Sequence, residues 1–364
     1  MHLLAVGIVG LTIALTLVGL AAAYLDPYHF WWAAIVAVLL PYLVALLVLG
    51  TALLLALRIW SWSLVALIVL FFGITRLAPL ERVGHTPVAQ DDDFVVMTFS
   101  VPRFGESAEA LAQDVFTLLE AEEPHLVALQ EAIAWRRVEE PGLPRIADYV
   151  RPALDSLGYL LAIPARLAEA RTPLPVLARH PRGALVLSQQ EGALGPALDG
   201  LGPSRFVRTE FRWQGRDAVL YNVHLRGYGA EKPWQEDAFP LLRPGTWLPF
   251  LARYRQAYRL RSIEVRDLRE RIDAETLPVI LAGDLNVTPD NWDYRFLGRG
   301  LVDAFKIGGR GWGGTYRGDL PVVRIDYILV DPSFEVVSAH VPDVRFSDHR
   351  PVVTAIRWRP TDER

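Results

Sequence analysis

The sequence predicts an α/β domain preceded by an all-α membrane region, and three observations carry that expectation. The first 76 residues hold only Asp26, Arg58 and Arg76 as charged side chains. From residue 94 onward, apolar runs of strand length alternate loosely with runs of helical period. Several strand-length runs end in one acidic, amide or imidazole residue, the pattern of a buried strand opening into a pocket.

At 364 residues and 52 % hydrophobic, the chain has room for one large domain plus an accessory region. A formal net charge of −4 gives no sign of a globally basic nucleic-acid binder. With no Cys, neither a disulfide nor a thiolate metal site is possible, and that absence fits either side of a membrane. The 11 Trp residues are many, and several fall where a membrane surface would lie.

Residues 3–25 are apolar and uncharged, long enough to cross a hydrocarbon core of about 30 Å at about 1.5 Å per residue. A signal peptide would need a basic start, a shorter apolar core and a small-residue cleavage site. The start here is Met-His, so a retained helix is expected. Asp26-Pro27-Tyr28-His29 reads as a turn, and Trp31 and Trp32 suit a membrane–water interface. Residues 30–57 are too long for one straight span. Arg58 interrupts the run, and apolar sequence resumes to Ile74. Three spans are expected over residues 1–76, with two spans and an interfacial segment as the alternative. Three spans put the two termini on opposite sides. Arg58 favours a cytoplasmic second loop, hence an extracytoplasmic domain at the cell membrane; Arg76 and Arg82 argue the other way.

Residues 77–93 read as a linker, with Pro79, Gly84 and Pro87. Asp91-Asp92-Asp93 reads as a solvated lead-in, since adjacent side chains on an extended chain cannot converge on one ion. The domain proper, residues 94–364, opens with a strand over 94–101 and a helix over 108–121, whose face is Leu111, Val115, Leu118 and Leu119. Pro124 stops that helix, and a strand over 126–130 ends at Glu131. A loop at 141–144, a helix over 146–157 and strands over 159–163 and 184–187 follow, with 166–182 irregular. Residues 206–213 and 218–222 alternate in polarity around Gln214-Gly215-Arg216, a hairpin, and His224 follows.

Residues 227–249 form an aromatic-rich insertion. A helix over 251–272 carries Arg253, Arg255, Arg259, Arg261, Arg266, Arg269 and Arg271. Its plainer reading is an amphipathic helix with a solvated basic side; the sharper one is a face toward anionic headgroups or a phosphorylated substrate. Gly308, Gly309, Gly311, Gly313 and Gly314 surround Trp312 without the Lys-Ser/Thr ending of a P-loop, and read as a flexible loop at a pocket rim. Strands over 324–330, 334–339 and 352–358 complete the chain.

The stretch that organises the rest is Leu281-Ala282-Gly283-Asp284-Leu285-Asn286. Residues two apart on a strand share a face, so Asp284 and Asn286 project together. A carboxylate there can take a proton from water while the carboxamide holds a phosphoryl oxygen. Alone, the motif would read as a strand end with an Asx turn. Its companions decide otherwise: Glu131 after Leu129-Gln130, His224 after Tyr221-Asn222-Val223, Asp326 in Arg324-Ile325-Asp326-Tyr327, and Ser347-Asp348-His349. Oxygen donors and imidazoles without thiols suit Mg²⁺ or Mn²⁺.

These motifs, in this order over residues 94–359, resemble the endonuclease/exonuclease/phosphatase superfamily, and the apolar N-terminus resembles the layout of its membrane-anchored bacterial members. The resemblance implies a four-layer α/β sandwich, two packed mixed sheets flanked by helices. It implies Glu131 as the principal metal ligand with Asp348 assisting. Asp284 would orient or deprotonate the water, with Asn286 beside it. Asp326 would hold the imidazole of His349 toward the phosphoryl group, and His224 would stabilise the phosphate or protonate the leaving group. Ser100 stands where the family ends its first strand in Asn.

The function expected is therefore a membrane-anchored, metal-dependent phosphoesterase. Its substrate would be a phosphodiester or phosphate ester, lipid-linked substrates included, and its partner the lipid bilayer. A tethered nuclease is the first alternative, supported only by the Arg-rich helix. A non-catalytic receptor on a degenerate scaffold is the second, supported only by Ser100.

Overall fold

The computed structural model describes residues 2–77, 90–101, 108–131, 153–161, 174–179, 184–196, 202–229, 244–316 and 323–360. The expected loop at 141–144, and most of the linker, of the helix over 146–157, of the irregular stretch and of the aromatic insertion, lie outside the described residues. The apolar region forms α1 (His2–Ala22), α2 (Pro27–Val38), α3 (Leu40–Ala56) and α4 (Trp60–Leu77). Then come β1 (Phe94–Ser100), α5 (Ala108–Glu122), β2 (Leu126–Gln130), β3 (Tyr159–Leu161), β4 (Val176–Arg179) and β5 (Leu185–Leu194). β6 (Ser204–Trp213), β7 (Arg216–His224), α6 (Pro244–Asp273), β8 (Val279–Asp284) and α7 (Trp292–Leu297) follow. β9 (Val302–Asp303), α8 (Ala304–Gly308), β10 (Asp326–Val330), β11 (Phe334–His340) and β12 (Val352–Trp358) close the chain.

Two compact units result. The first comprises Met1–Val83, Arg226–Arg266 and Val287–Leu297; the second comprises Gly84–Leu225, Asp267–Asn286 and Gly298–Arg364.

In the first unit, α1 and α4 are each long and apolar enough to cross a membrane, while α2 and α3 pass that test only together, as a pair bent by 56°. Asp26 caps α2: its Oδ1 accepts the Tyr28 N–H at 3.0 Å, and Pro27 takes the first helical position. The tetrapeptide expected as a turn is thus a helix start. Glycines set the close helix contacts: a Cβ on Gly50 would lie 2.9 Å from Val9, and one on Gly73 would lie 2.7 Å from Val44.

The basic helix α6 does not present a simply solvated face. Within this unit Arg266 pairs with Asp26, and Arg259 Nε donates to Tyr28 O at 3.0 Å. Arg261 is fully buried, with its guanidinium carbon 4.0 Å from the centre of the Tyr258 ring. Arg76 Nε reaches Asp290 Oδ1 at 2.8 Å.

The second unit is the sandwich. Among the described residues one sheet runs β11-β12-β1-β2-β4-β3 and the other β5-β6-β7-β8-β10-β9. Both are mixed: β1 pairs β2 in parallel and β12 antiparallel, and β7 pairs β8 in parallel and β6 antiparallel. Strand alternation sorts the side chains. Phe94, Val96, Leu126 and Ala128 meet Ala218, Leu220, Ile280 and Ile328 between the sheets. Met97, Phe99, Val127 and Leu129 face outward onto Val115, Phe116, Leu118 and Leu119 of α5. The α/β sandwich expected from the sequence is therefore the observed fold.

Three local readings change. β4 lies inside the stretch read as irregular, where its three prolines obscured it, and it pairs with both β2 and β3. β5 extends to Leu194, carried by pairing with β6 rather than by apolar content. Asp93 is buried, its carboxylate 2.9 and 3.0 Å from the Arg357 guanidinium, so the acidic run ends in an ion pair rather than in solvent.

Candidate active site

The site is built at one end of the sandwich, where strand register places its side chains in a row. His224 on β7 stands beside Asp284 on β8, which stands opposite Asp326 on β10. Gly283 makes this possible. Its φ is +147°, and a Cβ there would lie 1.9 Å from Val223 O, so any side chain would push β8 off β7. After Asp284 the chain turns: Asn286 is left-handed, with φ 54°, and its N–H donates to Asp284 Oδ1 at 2.8 Å. Its Nδ2 donates to Leu225 O at 2.9 Å and to Asp284 Oδ2 at 3.2 Å. The expected pair therefore sits together, through a turn rather than along a straight strand.

Glu131 enters from the other sheet, one residue beyond β2, also in the left-handed region with φ 53°. That conformation is costly for a residue with a side chain, and it swings the carboxylate off the strand line. His224 Nε2 lies 3.6 Å from both Glu131 Oε1 and Asp284 Oδ2. Beneath them, Gln130 Nε2 donates to Asn222 Oδ1 at 2.7 Å and to Thr98 Oγ1 at 2.9 Å, and Asn222 Nδ2 donates to Leu129 O at 2.9 Å. This buried network ties the two sheets directly under the site.

His349 completes the group. Its Nδ1 lies 2.9 Å from Asp326 Oδ2, and its Nε2 lies 4.0 Å from Asp284 Oδ2. Ser347 fixes the approach: its Oγ accepts the His349 N–H at 3.0 Å and donates to Ser100 O at 3.1 Å. Thr315 Oγ1 accepts the N–H groups of Ile325 and Asp326, both at 3.1 Å, and the Tyr316 ring meets the His349 ring edge-on at 5.1 Å.

Electrostatics follow from burial. Burial, then the neighbouring Asp326, push the Asp284 carboxyl up to about 8, against the pull of His349 and the Asn286 N–H. For His349, burial pulls the imidazole down, but Asp326, with Asp284 and Asp348 adding to it, outweighs that and takes it up to about 10.

Asp284, Asp326 and His349 each offer a ligand atom within 4.8 Å of the others. Oxygen donors this crowded, with Glu131 close by, suit a hard divalent cation next to them, whose charge would relieve their repulsion.

Of the residues singled out from sequence, Glu131, His224, Asp284, Asn286, Asp326 and His349 meet here. Ser100 is buried at the end of β1 and joins through its carbonyl, while Asp348 is exposed beside His349. Gly283, Gln130 and Asn222 lie inside the quoted motifs, but their parts depend on contacts between strands that the motifs do not show. Thr315 gave no signal, because a threonine in a glycine-rich loop has no local pattern to mark it.

Residues 98–349 match the sequence model of the Endonuclease/Exonuclease/phosphatase family. No curated protein matches the chain. Among solved structures, an endonuclease/exonuclease/phosphatase from Beutenbergia cavernae is similar at 21 % identity and TM-score 0.52, covering 73 % of this chain and 72 % of that one. A mannosyl-6-phosphatase from Bacteroides thetaiotaomicron is similar at 17 % identity and TM-score 0.50, covering 73 % and 100 %. The human Nocturnin catalytic domain with bound sulfate is similar at 18 % identity and TM-score 0.50, covering 75 % and 97 %. The match over residues 98–349, on a sandwich whose strand ends gather two carboxylates and an imidazole, makes this chain a member of the endonuclease/exonuclease/phosphatase family.

Proposed function

We propose that the chain is a membrane-anchored, divalent-metal-dependent hydrolase of phosphoester bonds, with a lipid-linked phosphate as the favoured substrate class. The observation that carries the chemistry is the contact of His349 with Asp326 beside the buried Asp284. Glu131 would hold Mg²⁺ or Mn²⁺, with Asp348 assisting, and the ion when bound would neutralise charge on the phosphoryl oxygens. Raised to about 8, Asp284 keeps its proton at neutral pH without metal; beside a bound cation it would give that proton up and, as a carboxylate, accept the proton of the attacking water. Asn286 keeps that carboxylate oriented. His349, kept cationic by Asp326, faces the phosphoryl oxygens, and His224 protonates the leaving oxygen. Ser100 supplies a hydroxyl at the position of the family's Asn.

The membrane reading rests on α1, α4 and the bent α2–α3 pair, taken as three spans over residues 1–76. Residues 77–93 then link them to a hydrolase domain over 94–364, placed outside the cytoplasm. Protease added to intact cells should reach that domain; protection until lysis would reverse the orientation.

The full chain in detergent should be assayed for phosphate release from polyprenyl and phospholipid phosphates, and for cleavage of single- and double-stranded DNA, with and without Mg²⁺. Turnover of the lipid phosphates above DNA is the expected result. Cleavage of DNA alone would make the chain a tethered nuclease, and no hydrolysis of any substrate would favour the receptor reading.

A further inference from the structure

The glycine-rich stretch has no part in the chemistry above, yet it borders a cavity of about 400 Å³. Gly308, Gly313, Gly314, Phe305, Ala339 and Val341 line it, and Arg310, Arg350 and His340 supply the polar groups. Among the described residues, no carboxylate lines it. The glycines are required by packing. A Cβ on Gly313, whose φ is +64°, would lie 2.3 Å from the Phe305 ring, and one on Gly308 would lie 2.7 Å from the backbone of Ser338. At these two positions the glycine stretch therefore packs directly against Phe305 and β11, where a side chain would not fit.

The cations are only partly answered. Arg350 meets the exposed Asp343 at 3.0 Å, a pair of small worth in water, while its Nε is buried with no hydrogen-bond partner. His340 meets Glu122 at 2.8 Å. No carboxylate pairs with Arg310 among the described residues. Two guanidiniums and an imidazole around a space with no carboxylate among its described lining residues are the chemistry that recognises an oxyanion. Cavity size adds to this: it exceeds what a bare oxyanion fills and leaves room for the group that carries it.

We propose that this cavity is a second anion site, taking a phosphate group between Arg310 and Arg350, apart from the catalytic cluster. It adjoins the catalytic residues along the chain. Arg350 follows His349, its N–H donates to Thr315 O at 2.6 Å, and Gly314 precedes the Thr315 that holds the Asp326 backbone. The site does not depend on the hydrolase reading, because its test is binding.

Calorimetric titration of the full chain in detergent, without divalent metal, should use inorganic phosphate in one arm and a phosphate monoester such as glycerol 3-phosphate in the other. Wild type should show a phosphate site that survives His349→Ala and weakens at least tenfold in the pair Arg310→Gln with Arg350→Gln. Tighter binding of the ester assigns the site to a carried phosphate, and tighter binding of the inorganic ion to free phosphate; either supports it. Arg310 is exposed, so Arg310→Gln alone should fold and still show a loss of several-fold should the pair not fold. Unchanged phosphate binding in Arg310→Gln, or a single site removed by His349→Ala, would overturn the proposal.

Discussion

His349 Nδ1 lies 2.9 Å from Asp326 Oδ2, and neither side chain reaches bulk water freely. A buried carboxylate beside an imidazole holds the ring in one orientation and favours its charged form. Asp326→Asn keeps the shape and removes the charge, so His349 should lose its proton at lower pH than its present value of about 10. Turnover should fall by roughly 10²-fold or more, the usual loss when one preorganised charge-stabilising group goes. Adding His349→Ala to that variant should cost little beyond His349→Ala alone, since the two act as a unit. Fully additive losses in folded variants would return Asp326 to a purely structural part.

Stability should carry the signature of the same cluster. In the folded chain Asp284 is raised from 3.8 to about 8, and His349 from 6.5 to about 10. Both groups bind a proton more tightly folded than unfolded. The linked stability is therefore complete below the unfolded values and lost as pH rises through the folded ones. For Asp284 that window is about pH 4 to 8, and for His349 about pH 6.5 to 10. Without metal, Asp284→Asn should thus be more stable than wild type near pH 8. Its thermal midpoint should depend less on pH between 5 and 8. An unaltered pH slope would show that Asp284 titrates normally.

Gly283→Ala should not fold. The added Cβ meets Val223 O at 1.9 Å, and φ +147° is closed to a residue with a side chain. A loss above ~4 kcal/mol is expected, seen as absence of a cooperative melt. A folded Gly283→Ala would mean β8 can shift from β7 at little cost.

Thr315→Val should loosen the backbone that carries Asp326. It leaves the N–H groups of Ile325 and Asp326 without the acceptor now 3.1 Å away. Leaving a buried donor unmade costs ~1–3 kcal/mol. Denaturant melts should show that loss, and Thr315→Ser, which keeps the hydroxyl, should restore most of it.

Metal removal gives the last test. A chelator should abolish hydrolysis and Mg²⁺ should restore it. Glu131→Gln should lose ~10²-fold or more in turnover at the same Mg²⁺ concentration, because a neutral amide cannot replace the charge at the metal. Full activity in the presence of chelator would remove the metal from the mechanism.

The sequence by itself determined the fold class, an α/β sandwich with apolar helices before it, because burial leaves its period in the order of residues; that 226–266 and 287–297 form one compact unit with those helices was decided by the tertiary structure. It also marked Glu131, His224, Asp284 and Asp326, which end or open apolar runs, and His349 in Ser347-Asp348-His349, as residues the structure gathers at one end of the sandwich. Tertiary structure alone decided how they meet. The row His224, Asp284, Asp326 depends on register between β7, β8 and β10, strands distant in sequence, and register leaves no local trace. β4 and the far half of β5 are strands by pairing, not by composition. Asp93 and Arg261 read as solvated charges because their company, Arg357 and the Tyr258 ring, is assembled only on folding. The glycines around Trp312 read as flexible, yet contact with Phe305 makes Gly313 obligatory, since only the folded chain sets where a missing Cβ matters.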